Sequence, residues 1–131
     1  MKKDFQIWHN KKENVENKEK RVFFHEREIW FCHLGTNVGF EQDGKGENFS
    51  RPVIVFRKFN KEVFWAVPLT TKTKSGKFYT TINLKDGVHR MAILSQLRLI
   101  DAKRIYFKIG VIDEETHKLL EEKIIKICQG N

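Results

Sequence analysis

Residues 39–52 read Gly39-Phe40-Glu41-Gln42-Asp43-Gly44-Lys45-Gly46-Glu47-Asn48-Phe49-Ser50-Arg51-Pro52, and Val53-Ile54-Val55-Phe56 follows without interruption. The apolar, β-branched run is a buried strand. Pro52 is tolerated at its start because a first strand position need not donate a ladder hydrogen bond. The glycine- and charge-rich run before it is a polar loop. Phe59-Asn60-Lys61 makes a tight connection to a second strand, which ends in Val67-Pro68-Leu69-Thr70-Thr71. A loop thus delivers Arg51 to the start of one strand, and the next strand delivers a hydroxyl, Thr70, at its end. A permanently charged fork of donors beside a small hydroxyl suits a phosphate whose negative charge grows in a transition state.

Outward from this hairpin the β pattern continues. Runs rich in aromatic and β-branched residues at 28–34, 52–57, 62–69, 78–84 and 92–100 predict strands, with a shorter one near 108–112. Lys74-Ser75-Gly76-Lys77 and Asp86-Gly87 are turns, and Pro68 is expected to stop pairing just before Thr70. Asp113 suits a helix N-cap, Glu114 and Glu115 its first turn, and Thr116, Leu120, Ile124 and Ile127 form an apolar stripe closed by Gly130. Short strands with frequent turns and one packing helix predict a mainly β (α+β) fold: a small curled sheet or partial barrel of about six strands with a C-terminal helix. Residues 1–26 differ, being lysine- and glutamate-rich with Phe5, Trp8, Lys12 and Val15 at helical spacing. They are expected to form an added N-terminal helical segment, with residues 27–131 as the barrel domain.

A length of 131 residues suffices for one domain with a core that needs no staples. The 25 lysines and arginines against 17 acidic residues leave +8, which favours polyanionic partners such as nucleic acid. Cys32 and Cys128 are too few for a disulfide framework and lack metal-ligand spacing. Cys32 falls inside an apolar strand, where free cysteine acts as a small hydrophobe. The opening Met1-Lys2-Lys3 is not followed by an apolar stretch, and no run reaches membrane-spanning length, so a reduced, cytoplasmic, soluble protein is expected.

The order of these segments resembles the MazF/PemK toxins of bacterial toxin–antitoxin systems. The resemblance rests on the strand 29–34, Gly39-x-Glu41-Gln42, Arg51-Pro52-Val53-Ile54-Val55 and Val67-Pro68-Leu69-Thr70-Thr71. It continues through Ala92-Ile93-Leu94-Ser95-Gln96-Leu97-Arg98-Leu99-Ile100-Asp101, Ile109-Gly110-Val111 and a final helix. It covers about three quarters of the chain. Two departures stand out: a longer loop between Gln42 and Arg51, and the segment before Arg27. The resemblance implies an SH3-like barrel that dimerises, cleaves single-stranded RNA at short sequences without a metal or other cofactor, and is silenced by a cognate antitoxin. It implies Arg51 and Thr70 as catalytic positions, with Glu41, Gln42 and Gln96 in the signatures beside the site.

Metal-free RNA cleavage needs a proton withdrawn from the 2′-hydroxyl, charge stabilised on the phosphorane, and the leaving oxygen protonated. Arg51 suits the charge, and Thr70 can both donate and accept. Glu41 is a candidate base, or equally a group that orients Arg51 or reads a base amino group. Lys45, Lys72, Lys74 and Lys77 are candidates for an RNA phosphate track, with Phe40, Phe49, Phe78 and Tyr79 as stacking platforms. The histidines do not suggest a histidine-pair ribonuclease; His33 alone lies in a strand near the site, where a satisfied structural role is expected. Two rival readings use the same fold: an inhibitor of DNA gyrase, and a non-catalytic RNA-binding barrel. The stretch 119–131 has no tryptophan of the kind a gyrase-directed helix would present.

Overall fold

The computed structural model describes residues 22–34 and 50–130. Residues 1–21 of the N-terminal helical segment expected over 1–26, and the loop carrying Phe40, Glu41, Gln42, Lys45 and Phe49, lie outside the described residues, and residues 22–26 are not helical. Seven strands form one largely antiparallel sheet: β1 (Glu28–His33), β2 (Ser50–Lys58), β3 (Val63–Thr70), β4 (Tyr79–Ile82), β5 (Arg90–Ile93), β6 (Arg98–Asp101) and β7 (Ile105–Val111). Helix α1 (Glu114–Cys128) follows. The strand order is β4-β5-β3-β2-β1-β7, with β6 pairing β3 off this path. Among the described residues no ladder joins β7 back to the far edge, so the expected barrel is an open, curled sheet.

Both faces of the sheet are covered, which is why β2 and β3 read as continuous apolar runs rather than alternating ones. Successive side chains point to opposite faces. Val53 and Val55 therefore join Trp30, Cys32, Phe64 and Ala66 in one core, while Ile54 and Phe56 join Ile29, Val67 and Leu69 in another. The first core is closed by Ile100, Ala102 and Ile105 and by Phe24, which packs on Phe64 with ring centroids 5.0 Å apart. The second is closed by α1 through Leu120 and Ile124. Asp113 caps that helix, accepting a hydrogen bond from the Thr116 amide at 2.7 Å. Gly130 takes a positive φ of 78° just beyond it.

Three expectations need correction. The predicted strand over 92–100 is two strands separated by a 3-10 turn, Leu94–Gln96. The reason lies in β3, whose one edge takes two partners: Ala66 faces Arg98 of β6, whereas Leu69 faces Ala92 of β5. Three residues along β3 correspond to six on the other side, and the 3-10 turn absorbs the excess. Pro68 does not end pairing, since it faces Val53 in the β2 ladder and β3 runs on to Thr70. It sits where β3 changes partner from β6 to β5, a place that asks little of its missing amide hydrogen. Finally, the last strand begins at Ile105 rather than near Lys108, so Tyr106 and Phe107 lie on it, the sheet's edge strand. The split brings the count to seven.

Candidate active site

The loop before β2 and the end of β3 meet at one end of the sheet. Val53 faces Pro68 across the β2–β3 ladder. Continued by two residues, that register sets Arg51 level with Thr70. Both side chains then project to the face that carries Val53, Val55, Ala66 and Phe64. Both residues are buried, at 5% exposure each. The guanidinium of Arg51 donates through Nη1 to the Leu69 carbonyl at 2.9 Å, which ties it to the strand that supplies Thr70. A guanidinium fork with one nitrogen anchored this way is held in place, and its remaining donors face a fixed direction.

Thr70 Oγ1 accepts a hydrogen bond from the Lys72 amide at 3.2 Å. That bond uses a lone pair of the hydroxyl, leaving its proton to be donated elsewhere. The turn after Thr70 is held a second time, by the Lys74 amide on Met91 Sδ at 3.1 Å; Met91 itself faces Thr70 in the β3–β5 ladder. Lys72 and Lys74 therefore stay beside the threonine. Lys77 does not: it lines a recess with Lys123, Lys126 and Ile127 of α1, its ammonium 5.3 Å from the Phe78 ring centroid. Gln96 is half-buried in the 3-10 turn that bridges β5 and β6.

On β1, Cys32 faces Arg51 and His33 faces Ser50. The Cys32 thiol is fully buried, and desolvation pushes its pKa up to about 12, against a smaller opposing pull from the charges of Arg104 and Arg98. It behaves as the small hydrophobe its strand context predicts. His33 Nδ1 lies 3.3 Å from Ser50 Oγ, and its ring stacks on Tyr106 at 4.3 Å between centroids and 14° between planes. His33 and Ser50 alternate with Cys32 and Arg51, so they occupy the opposite face. The histidine is a satisfied strand residue. What sequence reading missed is the Leu69 carbonyl that anchors Arg51, because a backbone acceptor leaves no residue-type signal.

The profile of the PemK-like, MazF-like toxins of type II toxin–antitoxin systems matches residues 25–128. The chain belongs to this family. Several solved structures share its fold, three of them as follows. One is MazF from Deinococcus radiodurans, with a TM-score of 0.63 at 16% identity, covering 84% of this chain and 99% of that one. The MazE–MazF complex from the same organism gives a TM-score of 0.62 at 16% identity, covering 84% of this chain and 100% of the other. An endoribonuclease in complex with its cognate antitoxin from a mycobacterial species gives 0.63 at 12% identity, covering 82% and 96%. No curated protein matches the sequence itself. Membership of a MazF-like family accounts for a seven-stranded sheet with a C-terminal helix. No helix among the described residues is long and apolar enough to cross a membrane.

Proposed function

We propose that the protein is a metal-independent endoribonuclease toxin that cuts single-stranded RNA at short sequences, works as a homodimer in the cytoplasm, and is held inactive by a cognate antitoxin. Its family and the endoribonuclease and antitoxin-complex descriptions of its structural neighbours support this reading. The observation that carries it is the buried Arg51, tied by the Leu69 carbonyl to the strand end that bears Thr70.

In the proposed reaction the RNA 2′-oxygen bonds to phosphorus as its proton leaves. The bond from phosphorus to the 5′-oxygen breaks, and that oxygen takes up a proton. The products are a 2′,3′-cyclic phosphate and a 5′-hydroxyl. Arg51 stabilises the phosphorane oxygens through charge-assisted hydrogen bonds, because its guanidinium stays protonated and is no ordinary base. Thr70 donates a hydrogen bond from its hydroxyl to a phosphate oxygen and keeps its proton. Proton withdrawal falls to Glu41, or to another group if Glu41 orients Arg51 or reads a base. Lys72 and Lys74 hold flanking phosphates, joined by Lys45, with Gln42 and Gln96 supporting the site, while Lys77, turned toward α1, is left to RNA farther along the strand.

The test is incubation of purified, antitoxin-free protein with single-stranded RNA in excess EDTA, followed by mapping of product ends. Cyclic-phosphate and 5′-hydroxyl ends that disappear with Thr70→Ala are the expected result. Intact RNA from folded protein would sink the reading, and a gyrase supercoiling assay would then examine the inhibitor alternative.

A further inference from the structure

Thr70 and Met91 share a rung of the β3–β5 ladder, and Met91 faces Thr81 of β4 on its other side. Met91 thus sits on a strand paired along both edges and is only 7% exposed, so its thioether is a fixed point. Past Thr70 the chain leaves the sheet. Residues 71–78 are almost all exposed and belong to no strand until β4 begins at Tyr79. Such a run moves freely unless its backbone is tied down. Two side chains of the same rung do this. Thr70 Oγ1 accepts from the Lys72 amide at 3.2 Å, and Met91 Sδ accepts from the Lys74 amide at 3.1 Å. The first bond joins residues two apart and turns with the chain. The second spans 17 residues and reaches the neighbouring strand.

The two bonds act in series. The Lys72 amide occupies one lone pair of Thr70 Oγ1 and so sets the direction in which the hydroxyl can donate. That amide keeps its place only while the turn beyond it is held, and the turn is held at Lys74 by sulfur. We propose that Met91 is a positioning residue for the Thr70 hydroxyl: through the Lys74 amide it holds the turn whose Lys72 amide aims that hydroxyl. The role in cleavage rests on the nuclease reading; the tie from β5 to the turn does not. Sulfur is a weak acceptor, and methionine has three rotatable bonds. Burial on a doubly paired strand removes that freedom, so what the thioether contributes is direction. In the sequence Met91 stands just before the strand predicted to begin at Ala92, and no residue-type signal marks it as the partner of an amide 17 residues away.

The experiment uses the full chain. Leucine keeps the volume of methionine and lacks the acceptor, so Met91→Leu removes the bond with little change of shape. Norleucine exchanges the sulfur for a methylene. Because the chain's other methionine is Met1, incorporating norleucine in place of methionine supplies a second variant if Met91→Leu does not fold. Amide hydrogen exchange followed by NMR reads the tie. The Lys74 and Lys72 amides should exchange about fivefold faster in either variant, with the Tm kept within about 4 °C. Single-turnover cleavage of single-stranded RNA in EDTA reads the positioning. Met91→Leu should slow the rate at saturating protein about tenfold, a part of the roughly hundredfold that the hydroxyl supplies, and leave the half-saturating concentration within about twofold. In a Thr70→Val background the same change should have no further effect, because the group it aims is gone. Unchanged exchange at Lys74 overturns the tie. A parental rate in Met91→Leu overturns the positioning, as does an equal loss with and without the Thr70 hydroxyl, which is what a purely structural role gives. A parent that leaves RNA intact while Lys74 exchanges faster in Met91→Leu would remove the nuclease reading and keep the tie.

Discussion

Replacing Thr70 by valine separates its hydroxyl from its shape. Valine keeps the β-branched form that the end of β3 favours and removes only the oxygen. In the folded protein that oxygen has one described role, accepting the Lys72 amide at 3.2 Å. The bond is long and Lys72 is exposed, so water can take over the amide. The expected cost to stability is about 1 kcal/mol, or about 4 °C in Tm for a domain of this size. In the proposed transition state the same oxygen carries a proton donor aimed at the phosphorane. Losing one such donor costs about 3 kcal/mol, a rate loss of about a hundredfold. The catalytic effect is thus the larger by about threefold in free energy, and the two are read by separate assays. Single-turnover cleavage in EDTA with end mapping gives the rate, and a thermal melt gives the stability. Thr70→Ser, which restores the hydroxyl and loses a methyl group, should return the rate to within about tenfold of the parent. A folded Thr70→Val protein that cuts RNA within about threefold of the parental rate would refute a transition-state role for the hydroxyl.

Other outcomes follow from particular contacts. Phe24→Ala removes a side chain that is 1% exposed, packed on Phe64 and covered by the Lys58 ammonium at 4.5 Å; chemical denaturation should register a loss of about 3–5 kcal/mol. Iodoacetamide at neutral pH should label the exposed Cys128 and spare Cys32 until the protein is unfolded, because burial pushes the Cys32 thiol up to about 12; mass spectrometry of peptides distinguishes the two. Burial raises the pKa of Glu28, but hydrogen bonds from Trp30, the His25 amide and Lys108, with the Lys108 charge, outweigh it and hold the carboxyl below its ordinary value of 4.5. A lowered folded pKa means stability that is present above the unfolded value and is lost as pH falls through the folded one. The denaturation midpoint of the parent should therefore drop across that acid window, and Glu28→Gln should flatten the drop. Equal acid sensitivity in the two proteins would exclude Glu28 as its source.

How much was legible in the chain depended on whether a feature was local. The β2–β3 hairpin, the Asp113 cap and the apolar stripe of α1 could be read directly, because turn chemistry, capping and periodicity act over a few residues. Arg51 and Thr70 could be paired for the same reason, since a tight connection brings the start of one strand beside the end of the next. The break within 92–100 could not be read, because its residues suit a strand throughout. What divides it is that β3 offers one edge to two partners whose registers differ by three residues. Opening of the sheet and the anchoring of Arg51 on the Leu69 carbonyl were equally hidden. Residue types and spacing chose the elements and the pair of side chains at their junction. Long-range register and curvature, which no local window contains, decided where the long apolar stretch divides and what anchors that pair.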